Sequence, residues 1–131
     1  MKITSPTLLI SDDDADVRES LAEVFAGQGF ETVLVGDGRA ALDVVCCRDV
    51  HLVLIDFHMP RLTGIEALRL IKQRNEELPV ILMSAELTEE LAKQVLDERA
   101  WAVHRKPVDI RKIQADVLDA LKATWKWPLA G

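Results

Sequence analysis

Four carboxylates stand out by where they fall. Asp12, Asp13 and Asp14 come just after the apolar run Thr7-Leu8-Leu9-Ile10, and Asp56 ends the run His51-Leu52-Val53-Leu54-Ile55. A carboxylate at the end of a buried run is costly unless it lies at a solvated edge, and acids in succession repel one another. Carboxylates that converge at one edge need a cation, and an oxygen-only ligand set suits Mg²⁺ or Mn²⁺, not Zn²⁺. Two later runs end in groups of complementary chemistry. Pro79-Val80-Ile81-Leu82-Met83 leads to Ser84, and Trp101-Ala102-Val103-His104-Arg105 leads to Lys106. A hydroxyl donor and a fixed cation beside acids suit the binding of a phosphoryl group on a carboxylate. The carboxylate is the nucleophile and forms an acyl phosphate; metal and Lys neutralise the transferred oxygens, and the hydroxyl donates to one of them. Each residue also has a plainer role. An Asp after a strand commonly caps the next helix or opens a turn, a Ser in a loop is usually a turn residue, and a Lys is usually solvated surface. Asp14 reads best as a cap. What lifts the others above that reading is that they meet, and whether they meet depends on the elements that carry them.

Those elements alternate between two periods. Short continuous apolar runs read as strands buried on both faces. Between them, apolar residues recur at helical spacing: Val17, Leu21, Val24 and Phe25; Ile65, Leu68 and Ile71; Leu91, Val95 and Leu96; Ile110, Ile113, Val117 and Leu121. Asp14 or Asp16 can cap the first helix, which Gly27 and Gly29 end. Glu31-Thr32-Val33-Leu34-Val35 is a weaker strand, Gly36 and Gly38 make a turn, and a second helix runs from Arg39 to Cys47. Pro60 and Gly64 frame a loop, and Thr88 and Asp109 cap the last two helices. Five strands alternating with five helices predict an α/β fold, a doubly wound parallel sheet with helices on both faces. The first, third and fourth strands are wholly apolar and belong in the centre; the second and fifth carry polar residues and belong at the edges. The order 2-1-3-4-5, the flavodoxin-like (βα)5 arrangement, satisfies this. Its switch point lies between the first and third strands, so Asp12 and Asp13 should meet Asp56.

The whole chain sets further bounds. Its 131 residues, 49% hydrophobic, suffice for one domain with a real core. Sixteen basic against 22 acidic residues give a net charge of −6, which argues against nucleic-acid binding by this segment. It does not exclude an acidic module fused to a DNA-binding one. No apolar run approaches the ~20 residues of a membrane helix, and no signal peptide is visible, so the expected setting is cytoplasmic. Cys46 and Cys47 are adjacent and cannot build a disulfide framework or a metal site; they are expected as helix-packing thiols. Trp125 to Gly131 reads as a C-terminal tail or the start of a linker, after a domain over residues 1–124.

In these motifs the chain resembles the receiver domain of two-component response regulators, the chemotaxis (CheY-like) regulators being the simplest example. The resemblance rests on Leu8-Leu9-Ile10-Ser11-Asp12-Asp13-Asp14 with Arg18 and Leu21, on Val53-Leu54-Ile55-Asp56-Phe57-His58-Met59-Pro60 with Gly64, on Pro79 through Ala85, and on Arg105-Lys106-Pro107. It covers Thr7 to about Leu121. It implies a regulatory phosphoacceptor, an enzyme at most in self-catalysed phosphotransfer and autodephosphorylation. Asp56 would take phosphate from a histidine kinase or phosphotransfer protein and so switch an output domain or protein partner. Asp13, Asp56 and the backbone carbonyl of His58 would bind Mg²⁺, with Asp12 acting mostly through water. Lys106 would pair with the phosphoryl oxygens, and the Lys106–Pro107 bond would be cis. Ser84 would swing toward the phosphate and couple it to the surface of the fourth helix, fifth strand and fifth helix. Ala85 is small, as donor access requires, and His58 and Glu86 match the positions that tune hydrolysis. Four departures bear on output. Arg99-Ala100 replaces a small pair, Val103 stands where a switching aromatic is common, Arg105 replaces an apolar residue, and the Asp-Asp signature of one dimerisation mode is absent. Trp101, two residues before Val103, is expected either on the partner-binding face or as core under the fourth helix. Two other classes remain in view: an Asp-nucleophile, metal-dependent phosphatase, which would want a carboxylate where His58 stands, and a flavodoxin-like binding module, which would want Ser, Thr and Gly after the first strand.

Overall fold

The computed structural model describes residues 4–127. Within them strands and helices alternate: β1 (Thr7–Ser11), α1 (Ala15–Ala26), β2 (Glu31–Val35), α2 (Gly38–Cys47), β3 (Leu52–Asp56), α3 (Gly64–Arg74), β4 (Val80–Ser84), α4 (Glu89–Asp97), β5 (Ala102–Arg105) and α5 (Ile110–Trp125). The strands form one parallel sheet in the order β2-β1-β3-β4-β5. Hydrophobicity alone had implied this order, for a physical reason: β1, β3 and β4 are buried at every residue, whereas no residue of β2 or β5 is.

Strand alternation divides the core into two layers. Leu9, Val53, Ile55, Val80 and Leu82 pack with Ala41, Leu68, Ile71 and Val95 of α2, α3 and α4. Leu8, Ile10, Leu52, Leu54, Ile81 and Met83 pack with Leu21 and Phe25 of α1 and with Ile113, Val117 and Leu121 of α5. Right-handed crossovers require this division. The chain steps one way along the sheet from β1 to β2 and the other way from β2 onward, which puts α1 on the opposite face from α2, α3 and α4.

The helices start on side-chain caps. Asp14, Thr88 and Asp109 accept backbone N–H groups of the first turns of α1, α4 and α5, as the sequence implies, and Asp37 and Thr63 do the same for α2 and α3. Three expectations need correction, on Gly38, the cysteines and residues 125–127, and one open alternative, on Trp101, closes. Gly38 is the first residue of α2 rather than part of a turn; a Cβ there would stand 2.3 Å from the Leu62 carbonyl oxygen, so glycine admits the β3–α3 loop. Cys46 and Cys47 are exposed rather than buried in the core. Trp101 lies one residue before β5 and is 41% exposed, so it is not core. Residues 125–127 are no ragged end. Trp125 closes α5, its Nε1–H donates to the His51 carbonyl at 2.7 Å, and its ring meets the His51 ring edge-on at 5.3 Å. Trp127 packs on Phe30 at 5.0 Å. The rest of the expected tail, 128–131, lies outside the described residues.

Candidate functional site

β1 and β3 are neighbours, so the residues after them share one sheet edge. Asp12, Asp13 and Asp56 each offer a carboxylate oxygen within 4.8 Å of the others. Asp12 is fully buried and Asp56 is 4% exposed, while Asp13 faces solvent. Lys106, just past β5, reaches across the edge: its Nζ lies 2.5 Å from Asp12 Oδ2 and 3.3 Å from Asp56 Oδ1. Asp12 Oδ1 accepts the Asp14 N–H at 2.9 Å, so both oxygens of Asp12 are engaged. Asp14 itself points away, accepting the Asp16 N–H as the cap of α1. The Lys106–Pro107 bond is cis.

The electrostatics follow from burial and crowding. Burial is the main force raising the Asp56 pKa, and the charge of Asp12 adds to it; Lys106 and the His58 backbone N–H pull the other way without prevailing. For Lys106, burial pulls the pKa down. The hydrogen bond and charge of Asp12, with those of Asp56, outweigh it, so the ammonium is held above its ordinary value. Three carboxylates against one ammonium leave the edge with excess negative charge. The donor set fits an oxygen-preferring divalent cation: oxygens only, close together, with one of the three carboxylates open to water.

Loops complete the edge. Ser84 is fully buried at the end of β4, and its Oγ accepts the Glu86 N–H at 3.2 Å, leaving its own proton to donate. Ala85 and Glu86 are exposed beside it, and His58 Nε2 lies 3.9 Å from Glu86 Oε2. The β3–α3 loop folds tightly under Asp56. Gly64 N–H donates to the Phe57 carbonyl at 2.9 Å, and a Cβ on Gly64 would come 2.5 Å from the Asp56 carbonyl oxygen. A cavity of ≈ 490 Å³, lined by Val45, Arg48, His51, Leu78 and Trp125 among others, opens at the other end of the sheet and holds none of these groups.

Comparison with known proteins decides what kind of domain this is. A family model described as the response regulator receiver domain matches residues 8–118. The chain belongs to that family. It is thus a receiver domain of two-component response regulators. The Escherichia coli regulatory protein AtoC is 38% identical over 117 residues, which are 88% of this chain and 25% of AtoC. The Bacillus subtilis sporulation initiation phosphotransferase F is 35% identical over 115 residues, 88% of this chain and 90% of that one. The receiver spans 25% of AtoC and 51% of a mycobacterial response regulator, MprA, so relatives of this kind are much longer than the part it matches. Among solved structures, the receiver domain of Francisella response regulator 1452 superposes with a TM-score of 0.87 at 28% identity, covering 92% of this chain and 99% of that one. The CheX–CheY–BeF₃–Mg²⁺ complex of Borrelia burgdorferi superposes with a TM-score of 0.83 at 28% identity, covering 88% and 89%. The phosphatase and flavin-binding alternatives are not favoured.

Several residues around this edge show their contacts or backbone conformation only in the fold. Arg18 serves as a register mark in the sequence, but in the fold its Nη1–H donates to the Asp12 carbonyl at 2.5 Å and steadies the acidic loop. Thr63 and Glu66 form a reciprocal capping box that starts α3 under Asp56; the spacing Thr-x-x-Glu was there to be read. Arg99, where a small residue is usual, sits at φ 70. That left-handed backbone explains why glycine suits the position. Arg105 Nη2 donates to the Leu87 carbonyl at 2.7 Å, and nothing local in the sequence announces that contact.

Proposed function

We propose that Asp56 is the phosphoacceptor of this receiver domain, taking a phosphoryl group from a phosphohistidine on a histidine kinase or phosphotransfer protein. The observation that carries the reading is Lys106 lying within reach of both buried carboxylates, Asp12 and Asp56, with Asp13 close by. An Asp56 carboxylate oxygen attacks phosphorus, the bond from phosphorus to the donor imidazole breaks, and the ring nitrogen leaves with the electron pair. Lys106 is the fixed cation for the phosphoryl oxygens, and the Ser84 hydroxyl donates to one of them. Asp13, Asp56 and the His58 carbonyl would hold Mg²⁺ or Mn²⁺, which when bound would supply positive charge against the developing oxygen charge. Asp12 fits a water-mediated role, because its two oxygens are already engaged. Exposed Ala85 leaves the donor a path, and His58 with Glu86 at the mouth fit residues that tune hydrolysis of the aspartyl phosphate.

The domain is regulatory, and its output fits the α4–β5–α5 surface. Ser84 begins the loop into α4, Val103 packs beneath that helix among the core residues, and Trp101 and Leu96 are large apolar side chains left exposed. We assign Trp101 to the face that meets an output domain or a protein partner. The test of the phosphoacceptor is direct. With acetyl phosphate and Mg²⁺, intact mass rises by one phosphoryl group, the adduct is labile to base, and Asp56→Asn shows none. Equal labelling of the Asn variant overturns the assignment.

A further inference from the structure

Arg105 ends β5 opposite Ser84, with which it pairs in register. Strand alternation puts its side chain on the same face as Val103, the face that packs beneath α4. From there Arg105 Nη2–H donates to the carbonyl of Leu87 at 2.7 Å. Leu87 lies in the loop that follows Ser84, immediately before the Thr88 cap of α4. Among the described residues, two side-chain bonds act on that loop ahead of its cap: the Glu86 N–H on Ser84 Oγ, which is internal to it, and the Arg105 guanidinium on Leu87, which ties it to the neighbouring strand. Val103 is too short and too stiff at χ1 to span that gap. The long side chain two residues on does so instead. Lys106, the next residue, is the cation of the site, and its own N–H donates to the Ser84 carbonyl at 2.9 Å. One short stretch thus holds both the acidic edge and the adjoining loop.

We infer that Arg105 is a positioning residue, a latch that holds the β4–α4 loop in the conformation seen here and must yield before Ser84 and α4 can move together. The inference deepens the phosphoacceptor reading and rests on it for the second arm of the test only. A single exposed hydrogen bond sets the scale, a few-fold in an equilibrium. In the protein without phosphodonor, Arg105→Met should speed amide hydrogen exchange at Glu86 and Leu91, whose N–H groups are bonded to Ser84 Oγ and Thr88 Oγ1, about three-fold while leaving β1, β3 and α5 unchanged. With acetyl phosphate and Mg²⁺, the same variant should take up the phosphoryl group about three-fold faster. Arg105→Lys keeps a donor of the same charge and should restore part of both effects. Both differences should persist in 0.5 M salt, where exposed charges are screened. Unchanged exchange in the loop overturns the latch whatever the kinetics show. A kinetic difference that vanishes in high salt also overturns it, since it would report only the lost charge near the site. If neither the parent nor the variant is phosphorylated, the phosphoacceptor reading has failed, and the exchange arm still decides the latch.

Discussion

Replacing Asp56 by asparagine should make this protein more stable in metal-free buffer, and the structure says by how much. Carboxylate oxygens no more than 4.8 Å apart repel by at least about 3.5 kcal/mol at an effective dielectric of about 20, and Lys106 at 3.3 Å attracts Asp56 by about 5 kcal/mol on the same basis. Asp12 is buried and acts at nearly that strength, whereas water screens the exposed Asp13. Repulsion therefore offsets about two thirds of the attraction. The cost of burying the carboxylate, the first cause of its raised pKa, outweighs the remainder. Asn keeps the shape and removes the charge, and Lys106 keeps Asp12 as its partner. A gain of about 1–2 kcal/mol is expected, in the range of single-site effects on buried charge. For a domain of this length that is a rise of about 4–7 °C in Tm. Mg²⁺ should close most of that gap. At ten times its dissociation constant a ligand stabilises by about 1.4 kcal/mol, and the variant has lost one of the proposed ligands, so its response should be much smaller. Differential scanning calorimetry of both proteins, in EDTA and then in Mg²⁺, measures all four values. A variant less stable than the parent in EDTA, or an equal Mg²⁺ response in the two, would refute the reasoning.

Three more predictions follow from the same contacts. Asp13→Asn should weaken Mg²⁺ binding at least ten-fold by titration calorimetry, whereas Asp14→Ala should leave it nearly unchanged and cost about 1 kcal/mol through the lost cap of α1; equal affinities would mean that the acidic register is wrong. Gly64→Ala should destabilise by about 1–3 kcal/mol in urea unfolding, because its Cβ would come 2.5 Å from the Asp56 carbonyl oxygen, and a neutral result would show that the loop yields freely. His51 accepts the Thr7 N–H on Nδ1 at 2.9 Å, and burial lowers its pKa against the opposing charge of Asp49. The unfolded chain therefore binds the proton more readily, so stability should be complete above about pH 6.5 and fall as pH drops below it. His51→Gln should flatten that part of the pH–Tm curve, and an unchanged slope would assign it to other groups.

The central strands were legible because they are buried on both faces, which leaves a continuous apolar run that no other element shares. The edge strands were legible by contrast, and strand order followed from those two facts. The positions of Asp12, Asp13, Asp56, Ser84 and Lys106 were legible too, since in a parallel sheet every strand's carboxyl end lies at the same edge. Caps on Asp14, Thr88 and Asp109 are local chemistry and could be read locally. The failures were of another kind. Trp125 and Trp127 look like a tail in one dimension, because nothing in their neighbours reveals that His51 and Phe30 lie across the sheet end to receive them. Trp101 stood between two readings, and only the fold shows its ring exposed just before the edge strand β5. Cys46 and Cys47 follow the helical run of α2, but its last turn leaves both exposed.

The sequence by itself determined which residues would share an edge, because strand type and strand order are written in local hydrophobicity. Tertiary structure alone decided how they engage one another. It set Lys106 on Asp12 more closely than on Asp56, left Asp13 open to water, passed Gly64 beneath the Asp56 backbone and tied Arg105 to Leu87. Those outcomes turn on distances of a few tenths of an ångström and on burial, both set by packing between segments far apart in the chain, and no local pattern encodes them.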